Sequence, residues 1–161
     1  MILKTLLLDL VIADVTAQLE NSLRGQKEAM DEAASHKGAM ASRYDTFKEE
    51  AQYLAGGYGT QILTLQKMLD CLNYIKAYPP TICGVAVFSL VEVEFLDTDS
   101  TCTYFLLPAG GGNEYQVQGK EITILSINAP VALALTNKVT GDEIDVRLPS
   151  GQKTLRILSL C

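Results

Sequence analysis

No proline occurs before Pro79, and that fact constrains the first half of the chain more than any other. Proline removes a backbone donor and breaks helices. A long proline-free stretch with apolar residues three and four apart therefore reads as helix. Leu3, Leu6, Leu7, Leu10, Val11, Val15, Leu19 and Leu23 mark one apolar stripe. Tyr44, Phe47, Ala51, Leu54, Tyr58, Ile62, Leu65, Leu69, Leu72 and Ile75 mark a second, which stops before Pro79 and Pro80. Between them "ASHKGAMASRYDTFKEEA" reads as the place where the chain reverses. The spacing predicts an antiparallel coiled-coil hairpin with arms of roughly 50 Å. With the turn centred near Gly38, Leu3 lies opposite residues near Asn73. Gly25 and the group Gly56, Gly57 and Gly59 oppose this pattern. Each glycine costs a helix interior about 1 kcal/mol relative to alanine, so a kink or bulge is expected there, on the second arm especially.

After the prolines the pattern changes to period two. "ICGVAVFSLVEVEFLD", "TCTYFLLPAG", "EITILSI", "DEIDVRLP" and "KTLRILSL" read as strands rich in Val, Ile, Phe and Leu. "APVALALTN" reads as one short helix, with Pro130 in its first turn and Asn128 as a candidate cap. The expected fold class is α+β: an N-terminal antiparallel α-helical hairpin over residues 1–78, then a small antiparallel β-sheet domain with one short helix over residues 79–161.

Composition removes several function classes. The net charge of -6 gives no help to nucleic-acid binding, which needs clustered Lys and Arg, so no independent nucleic-acid site is expected. The apolar start "MILKTLLLDLVIADV" is interrupted by Asp9 and lacks a small-residue cleavage site. It is also shorter than the roughly 20 apolar residues of a membrane span, so it reads as a buried helical face of a cytoplasmic protein with no membrane role. Cys71, Cys83, Cys102 and Cys161 show no C-x-x-C spacing, and His36 is the only histidine; reduced thiols are expected, and no metal or cofactor site. Gly110, Gly111 and Gly112 form a turn with no phosphate-loop motif around them. No Ser-His-Asp arrangement points to an enzyme.

The run from Asn128 to Ile144, "NAPVALALTNKVTGDEI", resembles the signature of the GreA/GreB transcription elongation factors, S-P-(small/apolar)-x-x-A-L-x-G-K-x-x-G-D-E-(V/I). "VRLPSG" and "LRIL" are similar to the closing strands of that family, and "YFLLPAGGG" to a segment of short Gre-like proteins. The resemblance implies an FKBP-like C-terminal domain that attaches near the secondary channel of bacterial RNA polymerase, and a coiled coil that reaches down the channel. The implied partner is core RNA polymerase. In cleavage-stimulating members an acidic loop at the hairpin tip helps hold the polymerase's catalytic metal. Matching the segment after that loop to "SRYDTFKE" puts Lys37 at the Asp position and Met40 at the Glu position. An ammonium group offers donors only and a thioether is a soft ligand, whereas Mg²⁺ takes carboxylate oxygens. The implied role is therefore regulatory binding without cleavage.

The tip candidates are His36, Lys37, Met40, Arg43 and Asp45, with Lys48 beside them; Asp31, Glu32 and Asp45 could offer carboxylates in a shifted register. Tyr44 and Phe47 are expected to pack across the arms below the turn. Asp142 and Glu143 are either part of the polymerase-docking surface or turn chemistry after Gly141. A different class stays open: a dimerising or adaptor module that binds a non-polymerase partner, which the leucine-rich first helix would favour.

Overall fold

The structure, a computed structural model, describes residues 2–35, 41–81, 83–149 and 151–161, with the side chains of residues 2, 33, 35, 41–52 and 55 outside that description. Two long helices come first, α1 (Ile2–Ser35) and α2 (Ala41–Ala77). Strands β1 (Leu90–Phe95), β2 (Ser100–Leu107), β3 (Glu114–Val117) and β4 (Lys120–Ser126) follow, then α3 (Pro130–Leu135), β5 (Glu143–Leu148) and β6 (Gly151–Leu160). The chain divides into two compact units, one formed by Met1–Leu10 with Ile75–Cys161, the other by Val11–Tyr74.

In the first unit the six strands run in the order β3-β4-β2-β1-β6-β5. Every neighbouring pair is antiparallel except β2 with β4, which is parallel. Period-two patterning announces strands but not their partners, so this pairing was not legible. Strand β3, "EYQV", has too little apolar content to stand out, and the sequence reading passed over it. It enters β4 through Gln118 and Gly119 at φ +52 and +79, the paired positive angles of a tight hairpin turn. Gly111, at φ +142, leads back against β4: a Cβ there would lie 3.0 Å from the Ser126 nitrogen. That approach is what needs glycine.

The expected first strand is shorter than "ICGVAVFSLVEVEFLD" suggests. Residues 83–89 are not extended, because Gly84 packs on the Asn137–Lys138 backbone and Phe88 turns the chain at φ +67. The Phe88 N–H donates to Leu106 O at 2.7 Å, and Ser89 Oγ accepts from Ala86 N–H at 3.0 Å, holding that conformation. Helix α3 lies where the sequence put it, with Pro130 in the first turn. Its cap position is Ala129 rather than Asn128, and no side chain caps it.

Two apolar layers fix the sheet. Val91, Val93, Leu106, Ile144, Val146, Leu155 and Ile157 pack with Ala132 and Leu135 of α3. On the opposite face Leu90, Phe105, Leu107, Ile122 and Ile124 are also buried. Leu7, Leu8 and Ile75 of the same unit are buried as well, and Asp9 forms an ion pair with Lys76.

In the second unit Val11, Val15, Ile62, Leu65, Met68 and Leu72 are buried. The Tyr58 ring lies against the Gly25 backbone. Gly25 against Tyr58 and Asp9 against Lys76 each put the α2 partner about two turns later than a reversal centred on Gly38 implies. Asp9 would have faced residues well before Lys76 in the expected register. Helix α2 continues through Gly56, Gly57 and Gly59 without the expected bulge, since α-helical residues flank them on both sides.

Candidate functional site

The proposed tip falls largely outside the description. His36, Lys37 and Met40 lie outside the described residues. Arg43 and Asp45 belong to the first turns of α2, with their side chains, like those of Tyr44, Phe47 and Lys48, outside the description. Asp31 and Glu32 are exposed near the end of α1.

Asp142 and Glu143 can be built fully. Gly141, at φ +95, reverses the chain into β5, and its N–H donates to Ile157 O at 2.8 Å. The Asp142 carboxylate turns back to accept the Val139 N–H at 2.9 Å, while the Asp142 N–H donates to Val139 O at 3.1 Å. Its side chain is therefore engaged in turn chemistry. Glu143, one residue on, points to the polar end of the sheet. There it accepts from Arg156 Nε at 3.1 Å and Nη2 at 2.6 Å.

Arg156 is the residue the sequence reading missed. Glu94 on β1 and Glu143 on β5 both stand directly opposite it across β6, so all three side chains share one face. Arg156 Nη1 reaches Glu94 Oε2 at 3.4 Å. The hydrogen bond and charge of Glu143, with a smaller contribution from Glu94, raise the guanidinium above its ordinary pKa. The same face carries Glu92, which accepts from Lys120 Nζ at 2.8 Å and Ser159 Oγ at 3.1 Å. The Lys120 hydrogen bond holds the Glu92 carboxyl below its ordinary range, against the opposing effect of burial. Asp145 accepts from Thr154 Oγ1 at 2.8 Å. The alternation in "VEVEF", "DEIDVRL" and "TLRIL" carried this signal, but only strand order shows that the charges converge.

Residues 84–160 match the family described as "Transcription elongation factor, GreA/GreB, C-term". A transcription elongation factor GreA of Halorhodospira halophila is 31% identical over 128 residues, covering 76% of this chain and 77% of that protein. The chain belongs to the GreA/GreB transcription elongation factor family. The GreA of Pseudomonas aeruginosa is 28% identical over 148 residues, 88% of this chain and 90% of that protein. Among solved structures, GreA factor homolog 1 (Gfh1) of Thermus thermophilus is similar at 15% identity, with 98% of this chain and 94% of that chain covered and a TM-score of 0.38.

Members of the GreA/GreB family are regulatory binding factors without catalysis of their own. The family signature in this chain is largely spent on backbone geometry. Thr136 Oγ1 closes α3 onto Ala132 O at 2.8 Å. Asn137, at φ +63, donates its N–H to Val85 O at 2.8 Å, and Val85 N–H returns to Lys138 O at 2.8 Å. The motif fixes how α3 is wired to the sheet and delivers Glu143 to the charged face. Among the described residues no group of three or more His, Cys, Asp or Glu could hold a metal ion, and no helix is long and apolar enough to cross a membrane.

Proposed function

We propose that this chain binds bacterial core RNA polymerase at its secondary channel in the cytoplasm and modulates transcription without stimulating transcript cleavage. The hairpin, residues 1–78, would enter the channel, and residues 79–161 would dock beside it. The observation that carries this reading is membership of the GreA/GreB family combined with Lys37 and Met40 at the positions where cleavage-stimulating members present Asp and Glu. Within the tip of His36, Lys37, Met40, Arg43 and Asp45, the two positions matched to the family's carboxylates offer an ammonium group and a thioether to a metal that needs carboxylate oxygens. Its effect is occupancy: it fills the channel and excludes cleavage factors by mass action.

The docking surface includes Asp142 and Glu143 in different roles. Asp142 shapes the turn, and Glu143 presents charge beside Arg156.

Backtracked elongation complexes test the reading. The chain should leave their transcripts uncleaved above the basal rate, and the pair Lys37→Asp with Met40→Glu should raise cleavage. Cleavage by the unaltered chain, abolished by Asp31→Asn, Glu32→Gln or Asp45→Asn, would replace occupancy with an active role in a shifted register.

One observation favours the adaptor reading. Leu6 and Leu10, one helical turn apart on α1, are 40% and 43% exposed. A mass that rises with concentration in light scattering, together with no affinity for polymerase, would transfer the assignment to it.

A further inference from the structure

Three of the four residues 56–59 on α2 are glycine, and the fourth is Tyr58. Opposite them on α1 is Gly25. A Cβ on Gly25 would lie 2.7 Å from Tyr58 Cζ and 2.8 Å from its Oη, so the ring occupies the space that any other residue would fill. Gly56 and Gly57 touch nothing within 4 Å of where a Cβ would stand. Packing therefore explains Gly25 but not the pair on α2, and each of that pair weakens its helix.

Two further features coincide with this level. Thr60 Oγ1 donates to Gly56 O at 3.2 Å and Thr64 Oγ1 to Thr60 O at 3.0 Å. Hydroxyls bonded to the carbonyl one turn back compete with the helix ladder and favour bending. Among the described residues the buried apolar seam also ends here. Val11, Val15, Ile62, Leu65, Met68 and Leu72 are buried on one side of the glycines. On the other side Met30, Tyr53 and Leu54 are exposed, and no apolar side chain is buried among the described residues.

We propose that residues 56–60 form a joint built into the hairpin, closed by Tyr58 seated on Gly25. With the joint closed, α2 stays helical through the glycines. When Tyr58 leaves the notch, no buried apolar side chain among the described residues beyond it opposes bending, and the turn-proximal part of the hairpin changes direction while the seam from Val11 to Leu72 stays packed. The joint is a property of the helices themselves and stands whether or not the polymerase reading holds.

Residue-resolved amide exchange on the full chain tests it. The amides of residues 60–63 bond the carbonyls of residues 56–59, so they report opening of the joint directly. They should exchange about tenfold faster than those of residues 66–72. Gly56→Ala with Gly57→Ala should slow them by about fivefold per substitution, because alanine meets no steric obstacle there. Tyr58→Ala should speed them and also the amides of residues 26–29 on α1. Val93, Phe105 and Leu155 of the sheet should exchange as before in both variants. Uniform protection from residue 56 to residue 72 in the unaltered chain would overturn the joint. So would a Tyr58→Ala variant that leaves the α1 amides unchanged with the sheet intact. The stiffened double-alanine variant keeps the test decisive even if removing the ring unfolds the hairpin.

Discussion

The sheet and the helical hairpin are held together by opposite means. In the sheet, apolar side chains are buried on both faces, with Val91, Val93, Phe105, Leu106, Ile122, Leu155 and Ile157 at most 1% exposed. Among the described residues of Val11–Tyr74 a single seam carries the burial and stops at the glycines, beyond which Tyr53 is 85% exposed. Burial of apolar area supplies most of a fold's stability. The sheet unit therefore has one firmly determined arrangement, whereas the described side chains on the turn-proximal side of the hairpin add no buried apolar residue to the Tyr58–Gly25 contact.

The contrast is sharpened most by removing equivalent apolar bulk from each side. Phe105→Ala should cost about 3–5 kcal/mol in urea unfolding, while Leu54→Ala should stay within about 0.5 kcal/mol. A large loss from Leu54→Ala would mean that the distal hairpin is packed after all.

A smaller effect comes from a double-mutant cycle on the notch. Gly25→Ala alone should leave stability nearly unchanged, because better helix propensity is offset by eviction of the Tyr58 ring. In a Tyr58→Ala background the same change should stabilise by about 1 kcal/mol. Additive effects would show that the ring contributes nothing at Gly25. Arg156→Ala should cost less still, because the guanidinium and its Glu143 partner are solvent-exposed and water screens the pair. That loss should shrink further at high salt.

The smallest expected effect concerns pH. The Glu92 carboxyl is held below its ordinary value of 4.5. The folded state then binds fewer protons than the unfolded state across that window, so stability rises with pH there. Glu92's contribution is present above pH 4.5 and lost as pH falls through the lower folded value. Glu92→Gln should lower stability slightly near neutrality and flatten the acid limb of a thermal-denaturation series, because the contribution it removes is the one present above pH 4.5. An unchanged limb would show that the Lys120 pair is not formed in solution.

How much of this was legible follows from what one sequence encodes locally. The helices were readable because Pro79 and Pro80 bound a stretch with three-and-four spacing, and α3 because Pro130 opens it. Pairing was not readable: the parallel β2–β4 contact, the short β3 and the convergence of Glu94 and Glu143 on Arg156 depend on strand order. The hairpin register was missed because apolar spacing marks which face of each arm is buried and not how the arms align, which only contacts such as Gly25–Tyr58 and Asp9–Lys76 show. Asp142 was legible only as a choice between docking and turn chemistry. The bond it accepts from Val139 N–H now gives its carboxylate a turn partner. The glycines on α2 read as a defect, and only Tyr58 against Gly25 gives them a structural context.

The most direct test of the central claim is competition for core RNA polymerase between this chain and a cleavage-stimulating GreA, followed by displacement of the labelled factor. The account expects displacement that rises with concentration of this chain and is weakened by Glu143→Lys. Failure to displace the factor at concentrations far above those at which GreA itself binds would contradict it, leaving the family membership as a record of ancestry and sending the search to another partner.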